Sequence, residues 1–465
     1  MTAGALSRLL ELFEGAEAPG PWTPPAMPAA LHSLLPWRAF DESSELYVNA
    51  GSVGFVMELP PFAGIDAETL GALAGTLADA APERCTIQVI HWASPRFGAA
   101  SRAWAEPRSD AGGALARMGA KRRDLLAPGG WRRLHGGGPP FTLSDYRVFV
   151  TACLAGGMAR SATPGPAAET ALGAFRRALE GTLASAGAQT RRLEPDGLLS
   201  LAAELTAPDM AGYRDGETER PPRRWAPRDP LHEQCIAPGR AITVHPTGLT
   251  LHHPDGGRDG GSGDIAVRVL SAIAFPEVWP GWRGNALIGD FHRDFLQPGC
   301  PVLTCLTVVT GDEAAGEKAF LKSARATQQA GTGIARYLPG LPEKARDWQA
   351  VTERIKDGEK LVRACYMAAV YAPLDALDEA EQAVRAIYHG QGWRGNAERY
   401  MQLPSWLPRP PRGGGRGAGV EAAVGPGGRG GGPGGRWLGA LGVRPPALPV
   451  IDRPHRLLGL VEDIE

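Results

Sequence analysis

The chain keeps changing its hydrophobic period, and that alternation limits the folds open to it. β-branched apolar runs are followed again and again by stretches with leucine and alanine at three- and four-residue spacing. "ELYVNAGSVGFVMELP", Glu45–Pro60, reads as a hairpin turning at Asn49–Ser52. "DAETLGALAGTLADAAP" reads as a helix, with Asp66 as its N-cap, Leu70, Leu73 and Leu77 on one face, and Pro82 ending it. "CTIQVIHWAS" is a strand, Ala99–Leu126 one helix, "FTLSDYRVFVTACLA" a strand and Glu169–Ala186 a helix. The second part repeats the order: a helix at Leu198–Leu205, a hairpin in "AITVHPTGLTLHHP" with Gly248 at its turn, and the strands "DIAVRVLSAIAF" and "PVLTCLTVVTGD". Helices from Glu313 to about Ala335 and over Lys344–Lys356 follow, then the strand "KLVRACYMAAVYAP" and a helix at Leu377–Tyr388. Hairpins mixed with single helices predict an α+β fold, mixed sheets covered by helices, and not a strict βαβ wrap.

Two segments break the pattern. "DMAGYRDGETERPPRRWAPRDP", Asp209–Pro230, is charged and proline-rich and reads as a linker. Beyond Tyr400 the hydrophobic period is lost, and half of residues 413–442 are glycine. Such a composition cannot bury enough apolar surface to offset the entropy of ordering, so a disordered tail is expected. Gly, Arg, Pro and Ala have GC-rich codons, and the tail also reads as GC-rich DNA translated out of frame. The expected organisation is therefore a helix and Pro-rich linker over 1–28, α+β parts over 29–208 and 231–400 joined by the linker 209–230, and a low-complexity tail over 401–465.

Composition narrows the function. With 49 basic and 50 acidic side chains the net charge is −1, so no global field draws the chain to nucleic acid. A local alternative is a single-strand grip by Arg220, Arg223, Arg224 and Arg228 around Trp225, helped by the sparse arginines of the Gly/Arg tail. Interleaved acidic residues favour a solvated linker instead. The amino terminus has no signal-peptide pattern; Leu6–Phe13 reads as a short amphipathic helix. No window reaches the roughly 18 uncharged apolar residues of a membrane span. The expectation is a soluble, cytoplasmic chain, at most peripheral on the inner membrane.

The sites suggested by residue type are weak. "VLTCLTVVTGDEAAGEKAF", Val302–Phe320, resembles a P-loop, with four residues between Gly311 and Gly316 after an apolar strand. Glu317 stands where the lysine belongs, Lys318 comes one place late, and Ala319 offers no hydroxyl to Mg²⁺. No G-x-x-x-x-G-K-[ST] occurs elsewhere. The six cysteines are scattered, and C-x4-C at Cys300 and Cys305 lacks a second pair. His245, His252 and His253 share a hairpin without a thiol or carboxylate at metal-binding spacing. Asp290, His292 and Asp294 have no nucleophile nearby, and His91 has no local partner. No catalytic, cofactor-binding or metal-ligating residue is assigned.

An ordered set of landmarks resembles the TraC-type conjugative type IV secretion ATPases. "LPWRAFDESSELYVNAGSVGFVMELPPFAGID" carries their D-x-x-S-x-L-(Y/F) run and S-x-G-F-x-x-E strand, and "CTIQVIHWASPRFG" their Q-(V/I)-x-x-(W/F)-A-S-P-R strand. "PFTLSDYRVFVT" matches an L-x-D-Y-R-x-F block, and "FPEVWPGWRGNALIGD", "KARDWQAV" and "YHGQGWR" follow in order, so the resemblance covers Ala29 to about Tyr400. It implies the amino-terminal half of a hexameric motor that docks on the inner-membrane secretion complex and on neighbouring subunits. ATP and Mg²⁺ belong to the family's carboxyl-terminal RecA-type half. The resemblance therefore implies a truncated protein whose ATPase half is missing or supplied as a separate chain.

Overall fold

The computed structural model describes residues 30–61, 67–96, 98–131, 142–156, 163–206, 208, 224–236, 240–252, 263–274, 287–288 and 297–311. It further describes 313–333, 337, 340–356, 360–406, 420–424, 435–439 and 448–450. Asp66, the Leu6–Phe13 helix, His253, and Asp290, His292 and Asp294 lie outside the described residues.

Long strands that read as continuous apolar runs form one sheet. β1 (Trp37–Asp41), β2 (Leu46–Asn49) and β3 (Ser52–Leu59) run as a meander, and β3 pairs with β5 (Asp145–Ala155). β4 (Cys85–Ser94) lies between β5 and β10 (Val302–Thr310), and β11 (Lys360–Pro373) follows β10. β11 also pairs with β9 (Ile265–Ala274), which carries the hairpin β7 (Ile242–His245)–β8 (Gly248–Leu251) and β12 (Arg394–Ala397). The two-residue strand β6 (Arg191–Arg192) adds to β3. Every pairing among the described residues is antiparallel. The parts before and after the charged linker thus share one sheet, joined where Ala93 faces Val302 and Thr86 faces Val309.

Helices cover both faces, so the central strands are apolar on both sides. α1 (Ala67–Ala80) and the later α4 (Pro166–Ser185) cover one face of the first part: Leu73, Leu172, Phe175 and Leu179 meet Phe55, Met57, Ile87 and Val150. On the opposite face Ile90, Trp92 and Phe149 continue into Leu303, Val269 and Tyr371, beneath Leu198, Leu199 and Ala202 of α5 (Pro195–Thr206). The short α6 (Leu231–Gln234) adds Leu231 to this layer. Two helical hairpins pack chiefly on themselves: α2 (Gly98–Asp110) with α3 (Gly113–Leu126), and α7 (Glu313–Ala330) with α8 (Gly340–Lys356), the latter also touching the sheet at 420–424 and 435–439. α9 (Leu377–Gly390) closes the first face of the second part with Val384, Ile387 and Tyr388 against Val302, Tyr366 and Val370.

The α+β class stands, with local corrections. The single helix expected over Ala99–Leu126 is two, because Gly112 and Gly113 both take positive φ, +66° and +58°, and turn the chain back. Ordered structure runs past Tyr400: α10 (Gln402–Trp406) buries Gln402, Leu403 and Trp406, and the Trp406 indole donates to the Tyr371 hydroxyl at 2.7 Å. Beyond it the described residues are three short strands, β13 (Val420–Val424) beside β11, β14 (Gly435–Gly439) and β15 (Leu448–Val450). Gly248 is not at the hairpin turn; it opens β8, where a Cβ would meet the Val267 carbonyl oxygen at 3.2 Å.

Gly54, in the S-x-G-F run, is needed for the same reason more strongly. A Cβ there would lie 2.4 Å from the Ala152 carbonyl oxygen and 2.5 Å from Cys153 Sγ. Backbone must move to admit it, so Gly54→Ala is expected to cost about 2–3 kcal/mol. Chemical denaturation measures this, and an unchanged midpoint would show that β3 and β5 are not so closely apposed.

Candidate functional site

The P-loop-like stretch resolves into a tight strand-to-helix connection. β10 ends at Thr310 and α7 starts at Glu313, so only Gly311 and Asp312 separate them. A phosphate cradle needs several loop residues whose N–H groups point inward, and here Gly316 already lies within the helix. Thr310 is occupied as well: its hydroxyl donates to the Pro82 carbonyl at 2.6 Å and accepts the Cys85 N–H at 2.9 Å. Both strands beside β10 are antiparallel to it, whereas P-loop cores are built on parallel βαβ units.

The polar site that does form draws on four separate sequence segments. Trp92 and Ser94 come from the Q-V-I-H-W-A-S-P-R strand, Arg147 from the D-Y-R block, Glu58 from the end of the S-x-G-F-x-x-E strand, and Glu204 from α5. Register puts Trp92 opposite Arg147 and Glu58 opposite Phe149 on one face. The Trp92 indole donates to Glu204 Oε1 at 2.8 Å, the Ser94 hydroxyl donates to the same oxygen, and Arg147 Nη1 donates to Glu204 Oε2 at 3.1 Å. Arg147 Nε donates to Glu58 Oε1 at 2.7 Å, and Arg191 on β6 donates to Glu58 Oε2. The guanidinium also lies 5.0 Å from the Phe149 ring centre.

The electrostatics follow from partial burial. Burial opposes the Arg147 cation, but the Glu58 hydrogen bond, with Glu204 and Asp145 nearby, outweighs it and raises its pKa. Burial alone would raise the Glu58 carboxyl; hydrogen bonds from Arg147 and Arg191 bring it below the ordinary range. Asp145 goes the other way, chiefly through burial. Ser94 is fully buried and Glu204 is 5% exposed, so no substrate reaches this hydroxyl–carboxylate pair. The arrangement clamps α5 onto the sheet. Sequence reading found three of its four segments and missed Glu204, whose signal is a lone charge within the apolar run Leu198–Leu205.

Other motif residues are also spent on the fold. Asp41 Oδ2 accepts from Ser43 Oγ, Ser44 N and Ser44 Oγ at 2.8, 2.9 and 2.5 Å, closing the β1–β2 turn. The Tyr47 hydroxyl donates to the Leu193 carbonyl at 2.7 Å. Trp348 of the K-A-R-D-W block is buried between α7 and α8, and Trp393 of Y-H-G-Q-G-W-R packs 5.1 Å from Tyr366.

The remaining candidates are dispersed. His91 is buried, stacks on Tyr146 at 5.4 Å, and its Nδ1 has no partner. His245 meets Thr250 at 3.0 Å; His252 meets Asp264 at 2.8 Å and Thr243 at 2.7 Å. That carboxylate was not visible from spacing, yet no group of three metal-binding side chains assembles among the described residues. Cys300 and Cys305 belong to different cores, and burial pushes both thiols up to about 12. Trp225 is engaged rather than offered to a base: its ring packs edge-on to Phe40 at 5.8 Å, and its backbone N–H donates to Asp196 Oδ1 at 2.6 Å. Arg220 and Arg223 lie outside the described residues. No helix among the described residues is long and apolar enough to cross a membrane.

Comparison with known proteins agrees with the motif order. A family model described as TraC protein matches residues 31–410, which ends just beyond α10. Protein TraC of Escherichia coli (strain K12) is 22% identical over 394 residues, covering 80% of this chain and 42% of that protein. The chain thus spans less than half the length of the curated relative it matches. With most of its residues inside the family match, the chain belongs to the TraC family.

Proposed function

We propose that this protein is a component of a conjugative type IV secretion system, serving pilus assembly and conjugal DNA transfer. In this reading residues 31–410 are its docking and subunit-interaction module, meeting the inner-membrane complex and other TraC-like subunits. The observation that carries it is where the family's landmarks go. Of the described ones, Tyr47, Gly54, Glu58, Trp92, Ser94 and Arg147 are engaged in the packing and hydrogen bonds of the sheet and its covering helices, and Asp41 closes the β1–β2 turn. A pattern spent on rigidity suits a platform that presents its outer helices and loops to partners. ATP and Mg²⁺ are, in this reading, the business of a RecA-type domain and not of residues 31–410.

The test is co-purification of the tagged chain with the inner-membrane secretion complex from donor cells, with conjugation frequency measured during its overexpression. Retention of secretion subunits and a fall in frequency, through occupied docking surfaces, are expected. No retained subunit together with unchanged conjugation would end this reading.

A further inference from the structure

We infer that the α2–α3 hairpin is a membrane-surface contact that lies on anionic lipid. This goes beyond the subunit docking proposed above and stands without it. Four large apolar side chains face solvent here: Trp104 is 36% exposed, Leu115 53%, Met118 67% and Leu125 69%. Leu115, Met118 and Leu125 sit at i, i+3 and i+10, which places them on one side of α3 along about 15 Å of helix. Arg122, at i+7, falls within the same stripe. Its guanidinium lies 5.4 Å from the Trp104 ring centre, and Arg108 covers that ring at 4.0 Å.

The surrounding charge says what covers the stripe. Arg102, Arg108, Arg117, Lys121, Arg122 and Arg123 face Glu106, Asp110 and Asp124 on the same two helices, a local excess of cations in a chain of net charge −1. Exposed aliphatic side chains, a tryptophan and flanking arginine and lysine are the composition of a helix held in a headgroup layer. The apolar groups enter the acyl boundary, while the long cationic side chains reach up to phosphate. α2 and α3 pack on each other, with Gly119 admitting Arg108 Cβ, and none of their residues belongs to the two large cores on the faces of the sheet.

The experiment is flotation of the full chain with phosphatidylcholine vesicles and with vesicles that also contain phosphatidylglycerol. Binding to the anionic vesicles only, weakened by salt, is expected. The triple variant Leu115→Ser/Met118→Ser/Leu125→Ser and the pair Arg117→Glu/Lys121→Glu should each bind at least tenfold more weakly, with unchanged circular dichroism. All these positions are exposed, so the fold should tolerate them. Equal binding to both vesicle types, or variants that bind like the parent, would overturn the assignment. So would variants that keep vesicle binding but lose secretion subunits, which would make the stripe a protein contact. The vesicles contain no protein partner, so this result and the docking result fail independently.

Discussion

Glu204→Leu is expected to lower stability by about 2–4 kcal/mol, chiefly the cost of leaving two buried donors without their acceptor. The leucine would strand the Trp92 N–H and the Ser94 hydroxyl and leave Arg147 with Glu58 alone. Arg147→Met should be similarly harmful, because it leaves the buried Glu204 carboxylate with the Trp92 and Ser94 donors but without its cation. The double variant should recover part of the loss, since apolar groups replace both ends of the pair. Denaturant midpoints for the four proteins give a coupling energy. Additive losses, or a Glu204→Leu cost below about 1 kcal/mol, would mean that the clamp contributes nothing beyond its separate parts.

Acid sensitivity should arise first at His91. Burial holds its imidazole pKa down to about 4, against an unfolded value near 6.5. Between those values the unfolded chain binds a proton that the folded chain refuses, so stability falls as pH drops through that window. The full loss is about 3 kcal/mol, complete only near the folded pKa. Glu58 has a depressed pKa, so its contribution is present above the usual carboxylate range and is lost only at lower pH. His91→Phe keeps a ring against Tyr146 and removes the group with the unpartnered nitrogen. Its denaturation midpoint should stay nearly level from about pH 7.5 to about pH 5, where the parent declines. Parallel declines in the two proteins would rule out His91 as the source.

Elements were legible wherever one period held for long enough. β4, β10 and β11 read as strands because residues on both faces are buried, and α9 read as a helix because Val384, Ile387 and Tyr388 fall on one face. The break between α2 and α3 was hidden because Gly112 and Gly113 interrupt an otherwise unbroken Ala/Arg pattern. Only their positive φ shows that they reverse the chain. The order of strands was not legible at all. Nothing local to Ala93 names Val302 as its neighbour. The clamp was half legible for the same reason. Its strand residues sit in recurring motifs, while Glu204 reaches them from a separate helix, and its importance depends on a contact that spacing cannot encode.

The β4–β10 junction also sets a timetable for synthesis. Once β3, β4 and β5 have left the ribosome they can pair with one another, but the other edge of β4 must wait until Val302–Thr310 emerges. At roughly 5–20 residues per second that wait is on the order of eight to thirty seconds. Throughout it, Ile87, Val89, Ile90 and Trp92 flank an open row of backbone donors and acceptors. Such an edge is a template for strands from other nascent chains. The newborn protein is therefore a natural client for a chaperone that shields β4 until its distant partner arrives.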